Sequence, residues 1–373
     1  MKQCLLIDST SQSNEFLASL VTELANQKYQ IKLLASRNSW LKQRFEERHL
    51  PNRRLYQPIN KIWLLMILWP ALVVWNWLKL LIYQNQQDTK TLLCLGVGAK
   101  LLFSAPARLL GWRVVWLEEP NFDYDSLGKF VLNFYVGQSA KVKLICFSLT
   151  TKLKLLSIGV KEDTLRLIWP GISLEDFQNQ DSLFQNYAKQ TYLASKKFFT
   201  IGTIIDFEHL ERSEVLMRAV GLVKQIIPQV RLIIIGDGQA RAQAQWLTKK
   251  LGLEAQVWLV GSQTDLKKWY ANFDVFVVAS DSPTLDDFMV ALIAMANGVP
   301  VIAPHGQSLE DCFLGGQAGI LLSLDSEEEL SMELIKLEQQ VDFKKSLSVN
   351  AKQAVKDFFT LARAGEELRQ VLD

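Results

Sequence analysis

The chain has little of what most often announces chemistry. Its 373 residues include only three histidines and four cysteines. Cys4, Cys94, Cys146 and Cys312 are scattered, each in or beside an apolar stretch, so they suggest neither a disulfide framework nor, with the histidines, a metal-ligand spacing. They read as reduced core thiols of a cytoplasmic protein. An excess of one charge is lacking too: 41 basic against 39 acidic side chains leave a net of +2, which gives no bulk electrostatic case for nucleic acid. The first loop, Asp8 to Asn14, holds no glycine, which excludes a dinucleotide fingerprint there, although its hydroxyls and amides can still touch a ligand. The opening MKQCLLIDST has too short an apolar run for a secretory leader and reads as a strand. With 49% apolar and 21% charged residues the chain is globular, and its length calls for about two cores.

What is present is an alternation of short apolar runs with amphipathic stretches, the pattern of a wound α/β sheet. Strands are expected at Cys4–Ile7, Ile31–Ala35, Thr91–Leu95, Arg113–Leu117, Leu144–Phe147 and Leu165–Ile168, with helices at Glu15–Asn26, Leu101–Leu110 and Leu149–Ser157. A polar linker, Gln178–Lys197, follows. The rhythm then restarts with strands at Phe198–Ile201, Val230–Ile235, Val257–Val260, Val275–Ala279 and Val299–Ala303, separated by helices at Ser213–Ile227, Ala240–Leu251, Leu266–Asn272 and Phe288–Ala296. The fold class is therefore α/β, with two Rossmann-like, doubly wound domains at residues 1–178 and 195–350. Their strand ends are expected to face a cleft suited to two substrates.

One stretch breaks the rhythm. Ile62–Ile82 carries no charge before Lys79 and contains Trp63, Trp69, Trp75 and Trp77. Its length suffices to span a bilayer, but Pro70, Asn76 and Lys79, and its place between two strands, argue against that. Flanked upstream by Arg53, Arg54 and Lys61, it fits an element lying in the membrane interface with its indoles at headgroup level, or else a plain buried helix.

Ligands of open α/β sheets sit outside the carboxyl ends of the strands. In the second domain that rule points to Ser280–Asp287, a polar, acid-bearing loop between the strand at Val275–Ala279 and the helix from Phe288. In the first it points to Glu118 and Glu119, delivered by Arg113–Leu117, which are either functional acids or a solvated loop. His305 follows another strand end and either faces the cleft or is hydrogen-bonded within its loop.

The order of Ile168–Phe177 (IWPGISLEDF), Ile201-Gly202, Ile234–Gly238 (IIGDG), Val257–Gly261, Asp274–Val278 (DVFVV), Ala294–Ile302 (AMANGVPVI) and Gly316–Leu322 resembles the group 1 (family 4) retaining glycosyltransferases of GT-B fold. The resemblance covers nearly the whole chain and is strongest in the C-terminal half. It implies a nucleotide-sugar donor held mainly by the second domain and an acceptor held by the first. It also implies that a final helix, about Ala351–Leu372 within residues 351–373, crosses back to the first domain, and that no metal or other cofactor is required.

The family's Glu-x7-Glu motif would place its second acid at Ile293, which cannot accept a hydroxyl hydrogen bond. Its first acid falls at Leu285 by strict spacing, or at Asp286 when Phe288 is aligned with the family's aromatic. Asp286 is the candidate catalytic acid and Asp287 its neighbour on the donor. The plainer alternative is a solvated turn that caps the next helix. The basic pair expected after the first strand of the second domain is replaced by Gly202-Thr203 and Phe207–His209, which leaves His209 and Arg212 as candidate phosphate contacts. Losing two such contacts removes about 1.5–3 kcal/mol each. Gly236, Gly238, Gly261 and Glu310 match the remaining donor-side positions, mostly as scaffold. Glu118 or Glu119 stands at the position of a family histidine.

Three functions fit. The first is a glycosyltransferase acting on a lipid-linked or polysaccharide acceptor, peripheral on the inner membrane face. The second is a catalytically silent relative serving as a binding or scaffold subunit. The third is an unrelated two-domain α/β protein of the same shape, such as an epimerase.

Overall fold

The computed structural model describes residues 2–8, 15–26, 29–35, 39–47, 51–54, 62–87, 90–118, 133, 142–175, 198–205, 211–263, 265–280, 285–305 and 309–373. The chain divides into two compact units. Unit 1 comprises Met1–Pro170 with Leu361–Asp373, and unit 2 comprises Gly171–Thr360.

In unit 1 the described elements run β1 (Lys2–Asp8), α1 (Glu15–Asn26), β2 (Tyr29–Ala35), α2 (Trp40–Glu47), β3 (Asn52–Arg54), α3 (Ile62–Gln87), β4 (Thr91–Leu95), α4 (Val97–Leu109), β5 (Arg113–Glu118), β6 (Val142–Cys146), α5 (Leu149–Ser157) and β7 (Leu165–Leu167). The seven strands are all parallel, in the order β3-β2-β1-β4-β5-β6-β7. Their central members are near-continuous apolar runs because both faces are covered: Leu92 to Leu95 and Val114 to Leu117 are all buried. The strand order reverses between β1 and β4, where Asp8 lies beside Leu95 in register. Asp8 accepts a hydrogen bond there from the Ser39 hydroxyl. Cys4, Cys94 and Cys146 are free core thiols pushed up to about 12 by burial, so they are inert at neutral pH.

Unit 2 runs β8 (Phe199–Ile204), α6 (Glu211–Ile226), β9 (Val230–Ile235), α7 (Arg241–Lys250), β10 (Val257–Gly261), α8 (Lys267–Tyr270), β11 (Val275–Val277), α9 (Leu285–Ala296), β12 (Val301–Pro304), α10 (Leu309–Cys312), β13 (Ile320–Leu322), α11 (Glu327–Gln339) and α12 (Val341–Phe358). Its six strands are parallel in the order β10-β9-β8-β11-β12-β13, with the reversal between β8 and β11. Leu216, Val220 and Val223 of α6 and Leu330, Leu334 and Leu337 of α11 close one face over β8 and β9. On α9, Phe288, Ala291, Leu292 and Met295 are buried at helical spacing.

Two expectations are corrected here. The strand expected from Val299 starts at Val301, because the Val299 N–H closes the end of α9 on the Ala294 carbonyl, one residue after Gly298 turns with φ +74. In place of one final helix over Ala351–Leu372 there are two, α12 and then α13 (Leu361–Leu372), the latter part of unit 1. The break has a packing cause. Phe359 is buried edge-on against Phe288 at 5.9 Å, and its carbonyl accepts from the Ile172 N–H at 3.0 Å while Ile172 and Thr360 bridge in parallel.

α3 is neither wholly buried nor apolar on every side. Leu72, Asn76 and Leu80 face inward at i, i+4 spacing, whereas Val74, Trp75, Leu78 and Ile82 form a stripe 46–60% exposed. The Lys79 ammonium lies 5.5 Å from the Trp75 ring centroid, and partial burial lowers its pKa. No helix among the described residues is long and apolar enough to cross a membrane.

Candidate functional site

Because the strands of unit 2 are parallel, their carboxyl ends line one edge of the sheet, and the crevice at the reversal lies between the ends of β8 and β11. Thr203 stands near the end of β8 with no exposed surface, and its hydroxyl has no hydrogen-bond partner among the described residues. A buried hydroxyl left so is destabilising unless a ligand or water uses it. Gly202, one residue earlier, lies under the ring of Phe273: an added Cβ would sit 2.3 Å from it, so packing alone accounts for the glycine.

Next along the edge is the turn Gly236-Asp237-Gly238 after β9. Gly236 has φ +139, and a Cβ there would lie 1.8 Å from the Ile205 carbonyl oxygen, so the two strand ends approach as closely as backbone permits. Gly261 closes β10. Arg241, the first residue of α7, joins these ends: its guanidinium donates to the Leu259 carbonyl at 3.0 Å and the Gly236 carbonyl at 3.4 Å, with Asp237 at 3.7 Å. Sequence reasoning missed Arg241. Its signal was a basic residue at the first position of a helix, where the dipole disfavours a cation, three residues after the glycine turn.

Across the reversal, α9 begins at Leu285, three residues earlier than expected, which brings Asp286 and Asp287 into its first turn. Asp286 is exposed and Asp287 half-buried. Acids there complement the dipole, while the first N–H groups of a helix supply positive potential to a bound anion. Phe288 does not belong to the site. It is fully buried and stacks edge-on with Phe359, so it supports the helix from below. At the end of β12, His305 Nδ1 lies 3.7 Å from Glu310 Oε1, both well exposed.

Other expected residues fall elsewhere. Arg212 lies in the first turn of α6, and His209 is outside the described residues, as is Glu119. Glu118 is corrected from an accessible acid to a buried one. It turns inward at the end of β5 with no exposure, 2.6 Å from the equally buried Lys100 ammonium. Around it Trp116 donates its indole N–H to Ser104 at 2.9 Å. No group of three metal-ligating side chains is arranged to hold an ion among the described residues.

Residues 195–340 match the family model described as "Glycosyl transferases group 1". Over 95 residues the chain is 32% identical to the Vi polysaccharide biosynthesis protein VipC/TviE of Salmonella typhi, covering 26% of this chain and 16% of that protein. Over 192 residues it is 25% identical to the N-acetylgalactosamine-N,N'-diacetylbacillosaminyl-diphospho-undecaprenol 4-alpha-N-acetylgalactosaminyltransferase of Campylobacter jejuni, 52% of this chain and 51% of that enzyme. The chain spans about half or less of the length of the first curated relatives it matches. The Anabaena protein HepE, solved in complex with UDP, superposes with a TM-score of 0.81 at 17% identity, over 100% of this chain and 99% of that one. The fold is the two-unit α/β architecture of GT-B glycosyltransferase structures.

Proposed function

We propose that the protein is a glycosyltransferase that binds a nucleotide-sugar donor at the carboxyl edge of the unit 2 sheet and passes the sugar, with retention, to a lipid-linked or polysaccharide acceptor taken by unit 1. One observation carries this reading. The stretch that matches the family model contains, along a single sheet edge, the Thr203 hydroxyl, without a partner among the described residues, the Gly236–Gly238 turn pinned by Arg241, and the start of α9 with Asp286. The Thr203 hydroxyl and the backbone amides of α9 serve the diphosphate, and Arg241 holds the turn against it. Asp286 faces the sugar. As the anomeric carbon–oxygen bond breaks, the diphosphate departs with the bonding pair, the acceptor hydroxyl oxygen bonds to the same face of the anomeric carbon, and its proton passes to the departing diphosphate. This chemistry uses positive potential already in the chain and needs no resident metal or cofactor.

The exposed stripe of α3 supports peripheral contact with the cytoplasmic membrane face, where a lipid-linked acceptor resides. Val74, Trp75, Leu78 and Ile82 enter the interface while Lys79 meets anionic headgroups.

A second reading has an observation of its own. Ile293 occupies the position of the family's second acid, and Arg241 is already engaged with two carbonyls, so a binding subunit without turnover fits the same edge. Titration with UDP, GDP and ADP, followed by transfer assays with the matching sugar nucleotides, separates the two. Binding with turnover, abolished by Asp286→Ala while nucleotide binding persists, supports the transferase. Binding alone supports the subunit, and no binding rejects both. Turnover unchanged in Asp286→Ala dismisses that residue.

A further inference from the structure

A cavity of about 980 Å³ opens within unit 1 beside α13, at the amino ends of β5 and β6. The register makes its wall basic. Val115 pairs with Lys143 and Ile145 with Arg166, so Arg113, Lys143 and Arg166 all leave the sheet on one face. Lys143 donates to the Asp163 carbonyl at 2.8 Å and Arg113 to the Leu372 carbonyl. Arg166 is exposed and has no side-chain partner among the described residues. Trp112, also on the wall, has a buried indole N–H without an acceptor among the described residues.

Two carboxylates share the cavity, each held by an arginine of α13: Glu367 against Arg363 at 2.8 Å, and Asp373, which also accepts from the Tyr29 hydroxyl, against Arg369 at 3.2 Å. This mixture selects the ligand. A bare polyphosphate would meet Arg166 but bring no hydrogen-bond donor to the two carboxylates, and a neutral sugar would bring no anion to Arg166. A sugar bearing an acid group satisfies both sets, its anion on Arg166 and its neighbours and its hydroxyls donating to Glu367 and Asp373. The volume is that of a small-molecule site.

We propose that this cavity is a second carbohydrate site, one that binds an acidic saccharide. It lies wholly within unit 1 and shares no residue with the donor edge of unit 2, so it stands or falls independently of the transferase reading. The test is isothermal titration of the full chain, with UDP present in excess, using hexagalacturonate as the acidic probe, maltohexaose as the neutral one and inorganic pyrophosphate as charge without hydroxyls. Hexagalacturonate is expected to bind at least about tenfold more tightly than either control. Arg166→Ala and Lys143→Ala should each weaken it about fivefold, as befits partly exposed charge contacts, and leave the melting temperature and UDP affinity unchanged. No heat with hexagalacturonate, pyrophosphate binding as tightly, or an affinity indifferent to Arg166→Ala would each overturn the assignment.

Discussion

The pair Lys100–Glu118 allows the sharpest stability prediction. The two charges lie 2.6 Å apart with side chains 6% and 0% exposed, and the ammonium sits 5.6 Å from the Trp116 ring centroid. At an effective dielectric of about 20 their attraction is about 6 kcal/mol, while withdrawing each ion from water costs several kcal/mol. As a unit, therefore, the pair contributes close to nothing. Removing one member is different, because the stranded charge keeps its desolvation cost and loses its partner. Its way out is to become neutral, and the cost of doing so caps the loss. For Lys100→Met, protonating an ordinary carboxylate at pH 7 costs about 3.7 kcal/mol, and for Glu118→Leu, deprotonating an ordinary ammonium costs about 4.6 kcal/mol. Both single variants should lose about 3–4 kcal/mol, and the double variant less than about 2 kcal/mol.

Urea unfolding of the two single variants and the double variant at pH 7, followed by tryptophan fluorescence, checks both. Additive losses in the double variant, or single losses below about 1 kcal/mol, refute the reasoning.

Four further outcomes are expected. Gly236→Ala places a methyl group 1.8 Å from the Ile205 carbonyl oxygen at φ +139, and should cost at least about 3 kcal/mol in urea unfolding. Thr203→Val removes a buried hydroxyl that lacks a partner among the described residues. The variant should gain about 1 kcal/mol without ligand while binding UDP more weakly in calorimetry. Arg241→Gln releases the carbonyls of Gly236 and Leu259, so UDP affinity should fall about tenfold; an unchanged affinity confines Arg241 to packing. Trp75→Glu with Leu78→Glu puts two acids on the exposed stripe of α3. Sedimentation with phosphatidylglycerol vesicles should drop about tenfold, and full retention of binding argues for a different docking surface.

Much of the fold was legible because doubly buried parallel strands announce themselves as apolar runs. Thr91–Leu95, Leu149–Ser157 and Val230–Ile235 have the bounds read from the sequence. β3, three residues long, and the short polar α2 carry too little pattern to be seen. The candidate site was legible as a place, the edge following β8, β9 and β11, since that follows from topology. Which side chains line it was harder. Glu118 ends a strand with both faces covered, so no alternation tells which way its carboxylate turns, and only Lys100, eighteen residues earlier on α4, settles it. Phe288 looks like a ligand-facing aromatic until Phe359, a distant residue in sequence, is folded against it. The break after α12 has the same origin, for nothing local in Phe359-Thr360 forbids a helix.

The return of α13 to unit 1 has a bearing on synthesis. Tyr29 donates to Asp373, and Arg113 to the carbonyl of Leu372, so Leu361–Asp373 complete surfaces whose other half is synthesised before unit 2. At about 5–20 residues per second, the intervening unit takes the ribosome about 10–40 s to make. Throughout that interval the nascent first unit waits with the face of α1 that α13 covers open to water.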